Sequence, residues 1–92
     1  MKLDIISPEA TLFSGDVVSV TVPGADGEFQ MLNNHAAIVA VLTKGKVKIE
    51  TNSFDKSTAH TDKFVKENNK YVLTIGSGTL EMKDNKAVIL VD

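Results

Sequence analysis

The sequence predicts an all-β protein, an antiparallel β-sandwich or flattened barrel of about ten short strands. Three observations predict it. Short runs rich in Val, Ile, Leu and Thr recur along the whole chain. Turn-forming clusters separate them: Pro23-Gly24 to Gly27, Asn33-Asn34, Lys44-Gly45, Asn68-Asn69, Gly76-Ser77-Gly78 and Asp84-Asn85. No stretch carries the 3.6-residue apolar period of an amphipathic helix.

Taken in order, Lys2 to Ser7 alternates loosely and stops at Pro8, which fits an edge strand closed by proline. Glu9 to Ser14 is short, with Leu12 and Phe13 as anchors, and Ser14-Gly15-Asp16 reads as a turn. Asp16 to Val22 is the cleanest strand. Val18, Val20 and Val22 share one face, Ser19 and Thr21 the other. Pro23 to Gly27 is a loop, and Glu28 to Leu32 is a short mixed segment. Ala36 to Thr43 is apolar at nearly every position, as a strand buried on both faces would be, although Ala36-Ala37 also permits a short helix. Lys44-Gly45 reads as a tight hairpin turn into Lys46 to Glu50, which alternates polar and apolar.

The polar stretch from Thr51 to Asn69 is long for an irregular connection, so a strand is expected near Lys63 to Lys66. Lys70 to Ile75 places Tyr71, Leu73 and Ile75 on one face. Thr79 to Lys83 places Leu80 and Met82 together, and Ala87 to Val91 is a fully apolar run. No internal repeat or linker interrupts the pattern, so residues 1–92 read as a single domain.

Composition narrows the function classes. A formal charge of −2 lacks the basic excess of a nucleic-acid binder. The cations are all Lys, so no guanidinium fork is present for phosphate or carboxylate. With no Cys, disulfides, thiolate metal sites and cysteine nucleophiles are excluded. No apolar run approaches the roughly 18 residues of a spanning helix, and Met1 to Ile6 lacks a signal-peptide pattern. Direct membrane insertion is therefore not expected, whereas docking on a membrane complex is open.

The residues offer no strong catalytic set. His35 could fix a turn through its ring nitrogens, touch a partner, or act as a base, but a base needs an orienting carboxylate or a nucleophile in reach. His60 reads as solvated. Two isolated histidines make a poor metal set, and the carboxylates lack calcium-loop spacing. Gly76-Ser77-Gly78 superficially looks like a nucleophile turn, yet no helix pattern follows it. The glycines form no phosphate-binding loop. No cofactor is expected, and the residues point to a binding or structural module.

Several motifs follow one another in an order that carries more weight than any alone. They are Leu3-Asp4-Ile5-Ile6-Ser7-Pro8-Glu9, Leu12-Phe13-Ser14-Gly15, Asp26-Gly27-Glu28-Phe29, His35-Ala36, Leu42 with Gly45 and Val47, and Gly78-Thr79-Leu80-Glu81-Met82. In this order the chain resembles the ε subunit of bacterial F-type ATP synthases, the small subunit at the foot of the central rotor stalk. Gln30 departs from a usual Gly, and Asn33 and Ala37 replace two usual prolines. The two-helix C-terminal domain common in that family does not follow Val91-Asp92, which suggests a naturally short form.

The resemblance implies a non-catalytic rotor subunit that joins the γ subunit to the polar loops of the c-ring and couples proton flow to ATP synthesis. It implies a peripheral position on the cytoplasmic face of the bacterial inner membrane. By position, Asp26, Glu28, Phe29, Asn33, Asn34 and His35 would face the c-ring, and Ser7, Ala36, Ala37, Ile38 and Val39 would face γ. The inhibitory and ATP-binding functions of the missing helices do not transfer. The alternative is a free-standing β-sandwich that binds a ligand or another protein. A small hydrolase using His35 or Ser77 is a third reading.

Overall fold

Alternation of apolar and polar residues drives strand formation almost everywhere, and paired strands bury the apolar half. A computed structural model describes residues 1–52, 54 and 63–92. Among these it contains ten strands and no α-helix. They are β1 (Lys2–Ile6), β2 (Thr11–Asp16), β3 (Ser19–Gly24), β4 (Gly27–Leu32), β5 (Ile38–Leu42), β6 (Gly45–Glu50), β7 (Phe64–Glu67), β8 (Lys70–Ile75), β9 (Gly78–Lys83) and β10 (Lys86–Val91).

The strands form one continuous curled sheet that doubles back as a sandwich. One layer has the order β2-β1-β10-β9-β5, the other β4-β3-β6-β8-β7. Their ladder connection is the single pair Gly24↔Leu42 between β3 and β5. Around it, the Thr43 amide donates to the Pro23 carbonyl at 2.8 Å and the Ala25 amide to the Val41 carbonyl at 3.0 Å. Pro23, with no N–H of its own, sits where β3 leaves β6 and meets β5. Gly45 is needed beside it, because a Cβ there would lie 2.7 Å from the Pro23 Cβ.

The core lies between the layers. Leu3, Ile5, Leu80, Met82, Ala87 and Ile89 come from one, and Val20, Val22, Met31, Val47 and Ile49 from the other, all essentially inaccessible. The side between β2 and β7 is filled by aromatics. Phe54 stacks on Tyr71 with centroids 3.9 Å apart, meets Phe64 edge-on at 5.4 Å, and lies 5.7 Å from Phe13.

The all-β architecture and the strand near Lys63 to Lys66 agree with expectation, and Tyr71, Leu73 and Ile75 share the inward face. His60 lies outside the described residues. Several expectations need correction. The sheet is not wholly antiparallel, since β1 pairs with β10 in parallel. Strand β1 is consequently interior, between β2 and β10. Ser14-Gly15-Asp16 is no turn but the end of β2, paired with Lys2 to Asp4 of β1. Strand β3 starts at Ser19. Val18 is exposed and Val17 is buried in its place, while Ser19 and Thr21 are covered by the strands on either side. The loop at Pro23 to Gly27 shrinks to the two-residue turn Ala25-Asp26. Lys44-Gly45 does not close a hairpin, because β5 pairs with β9 and β6 with β3 and β8. The chain instead bends there and crosses from one layer to the other. The run at β5, expected to be buried on both faces, is not, and the apolar run at β10 is likewise open on one side. Val39, Val41 and Leu90 point outward.

Candidate functional site

Strand β5 is the centre of the candidate site. Its pairing with β9 aligns Ile38 with Met82 and Ala40 with Leu80, so these side chains turn inward. Val39 and Val41 then stand on the outer face opposite Glu81 and Thr79. They are 78% and 63% exposed, and Leu90 beside them on β10 is 50% exposed. Half-buried Val88 and Ile6 extend this apolar strip across β10 and β1. Glu81 is the carboxylate in its middle, flanked in register by Val39 and Val88.

The outer face of the other layer has the opposite character. There the Glu28 carboxylate pairs with the Lys48 ammonium at 3.3 Å and Lys46 with Glu67 at 3.6 Å. The Gln30 side-chain amide donates to the Ser19 hydroxyl at 3.5 Å, and that hydroxyl donates to Glu50 at 3.4 Å. One face is thus mainly polar and ion-paired, with Leu32 and Val65 as separate exposed apolar side chains, while the other carries a continuous apolar strip, which favours that strip for contact with another protein.

Around the edge of β5 lies a cleft of about 540 Å³, with the β3–β4 hairpin on one wall and β5 on the other. Phe29, Ile38 and Ala40 are half-buried and form its apolar lining, and Asp26 and Glu28 stand at its rim. Gly24 makes room for the Phe29 ring, since a Cβ there would lie 2.8 Å from it.

The structure divides the residues assigned by resemblance to the two partner faces. Asp26, Glu28 and Phe29 share the cleft with Ile38 and Val39, although they belong to different expected faces. Asn33, Asn34 and His35 lie at the other end of β4, together with Ala36 and Ala37. There the Asn33 Oδ1 accepts the Met1 ammonium at 2.6 Å, and the Asn34 amide donates to Asn85 Oδ1 at 2.7 Å. Asn34 holds the left-handed conformation at φ 62°. The His35 ring donates from Nδ1 to the Ala36 carbonyl at 2.7 Å, a turn-fixing bond. Ser7 also fixes a turn. Its hydroxyl accepts the Ala10 amide at 3.2 Å and donates to the Ala10 carbonyl at 3.1 Å. Val41, Val88 and Leu90 escaped sequence reasoning because an unbroken apolar run carries no polar residue to mark its outer face.

Among the described residues, no group of three His, Asp or Glu could hold a metal ion, and no buried side-chain polar atom lacks a partner. What the surface offers is area and shape for binding.

The family of the ATP synthase delta/epsilon chain β-sandwich domain matches residues 1–92. The ATP synthase epsilon chain of Chlorobium limicola is 40% identical over 91 residues, 99% of this chain and 88% of that protein. The epsilon chain of Nitratiruptor sp. is 34% identical over 92 residues, and this chain spans 60% of its length. Among solved structures, a chain in the central stalk/c-ring structure of the Tetrahymena thermophila mitochondrial ATP synthase superposes with a TM-score of 0.73. It is 18% identical, with 98% of this chain and 61% of that one covered, a likeness of fold. With its whole length matched and its strand order that of a two-layer sandwich, this chain belongs to the ATP synthase delta/epsilon family and is similar to the epsilon chains within it.

Proposed function

We propose that this chain is a non-catalytic central-stalk subunit of an F-type ATP synthase, seated between the γ subunit and the polar loops of the c-ring. In this reading it turns with both and couples proton translocation to ATP synthesis on the cytoplasmic face of the bacterial inner membrane. The observation that carries the reading is the family match over the entire chain, with 40% identity to an epsilon chain covered over most of its length.

The geometry suits the task. Torque transmission needs a body that does not yield, and two layers closed on an apolar core supply it. The apolar strip at Val39, Val41 and Leu90 supplies contact energy against γ. The carboxylates Asp26 and Glu28, on or beside the β3–β4 turn, set orientation against basic c-ring loops.

Size-exclusion chromatography of this chain mixed with the γ subunit from the same genome tests the proposal. A co-eluting one-to-one complex is expected at micromolar concentration. Separate elution of two folded proteins would overturn it.

A further inference from the structure

On the outer face, Val88 of β10 has a carboxylate on either side, Asp4 of β1 and Glu81 of β9. The fold treats the two differently. Asp4 is satisfied within the chain. Its Oδ1 accepts the Ser14 hydroxyl at 2.7 Å, and its Oδ2 lies 3.7 Å from the Lys86 ammonium. Glu81 is exposed, and among the described residues it has no hydrogen-bond or ion-pair partner. The cations nearest to it in register are Lys83, two residues along β9, and Lys86, diagonal to it across the β9–β10 ladder. Lys86 is engaged by Asp4, and neither lies at ion-pair distance from Glu81.

A depression of about 180 Å³ lies beside Glu81, walled by Val39, Thr79, Val88 and Leu90. Its walls are chiefly apolar, and Glu81 supplies its charge. A partner that covered this strip with apolar surface alone would strand an unpaired carboxylate away from water, which is strongly unfavourable. A Lys or Arg side chain removes that penalty and suits the shape. Its methylene stem packs on apolar surface while its charged head reaches a carboxylate.

We infer that Glu81 is the specificity-determining residue of the strip, and that it receives one Lys or Arg side chain of the γ subunit, whose stem lies in the depression between Val39, Val88 and Leu90. The inference rests on the stalk reading and deepens it, by naming the charge that γ must present where it covers the strip. A protein surface apolar throughout would be rejected, so the strip discriminates between partners as well as holding one.

Titration calorimetry of the full chain and its variants against purified γ tests this. Glu81→Gln keeps the shape and removes the charge, and should bind at least about tenfold more weakly. Glu81→Leu extends the apolar strip. With a cation opposite, it weakens the complex by at least about tenfold, whereas with an apolar surface opposite it tightens the complex. Glu67→Gln on β7 removes the same charge from the other outer face, where its ion pair with Lys46 is exposed, and should bind as the parent does. Parent-like or tighter binding by either Glu81 variant would overturn the inference while leaving the stalk reading intact. Absence of any complex with the unaltered chain would overturn both. Should Glu81→Leu self-associate, the Glu81→Gln result decides alone.

Discussion

Glu28 illustrates how a side chain can serve two partners. In the isolated chain its carboxylate reaches Lys48 at 3.3 Å across β3, and both side chains remain substantially solvated. An ion pair of this kind is worth less than about 1 kcal/mol. Glu28→Lys should therefore leave the thermal midpoint nearly unchanged, yet weaken docking on the c-ring and lower ATP synthesis in reconstituted vesicles. Full coupling in the variant, or a misfolded domain, would count against that role. Gly24 presents the opposite case. Added carbon there meets the Phe29 ring at 2.8 Å and the Gly27 carbonyl oxygen at 2.9 Å. Gly24→Ala should cost about 1–3 kcal/mol by overpacking, read as a lowered denaturant midpoint. At this scale the turn residues were legible in the sequence, because the left-handed tolerance of Asn is a local property. Asn34, Asn68, Asn69 and Asn85 all adopt positive φ. The outward placement of Val39 and Val41 was not, because Ile38 to Leu42 contains no polar residue to fix the phase of the strand.

Single elements show where local chemistry stops determining structure. The turns at Asn68-Asn69 and Asp84-Asn85 hold two successive positive-φ residues each, as tight two-residue hairpins require. Asn69→Ala should destabilise the domain by about 1 kcal/mol, whereas Asn69→Gly should be close to neutral in the same chemical unfolding experiment. Phe54 closes one side of the sandwich from outside any strand, packed between Tyr71 and Phe64. Phe54→Ala should cost about 2 kcal/mol, below a fully buried aromatic deletion because the ring is only half-buried. Strand β2 was hidden in the sequence by Ser14 and Gly15, which resemble turn residues until Leu3 and Asp4 pair with them. The bend at Thr43 and Lys44 was equally hidden, since a hairpin and a crossover can begin with the same residues. Only the partners of β5 and β6, drawn from elsewhere in the chain, distinguish them.

Across the whole molecule, the proposed stalk role makes the continuous apolar strip, rather than the mainly polar outer face, the contact surface. Leu90→Lys or Val41→Lys changes an exposed side chain and should alter stability by no more than about 0.5 kcal/mol. Titration calorimetry against γ should nevertheless show affinity lower by about tenfold, the scale of a modest hot spot. The two-layer class was readable from strand spacing, but the order of strands was not. That order depends on β1 lying between β2 and β10, a pairing of the chain's first and last strands. The pairing has a consequence for biosynthesis. On a ribosome, β1 and β2 emerge early and can form their hairpin, but the partner that covers the other edge of β1 is made last. Residues from Lys86 onward must clear the exit tunnel before Leu3↔Ala87 and Ile5↔Ile89 can meet. The domain therefore completes its core only once β10 has emerged, and a nascent chain stalled before Lys86 should remain open to protease while one extended past β10 resists it.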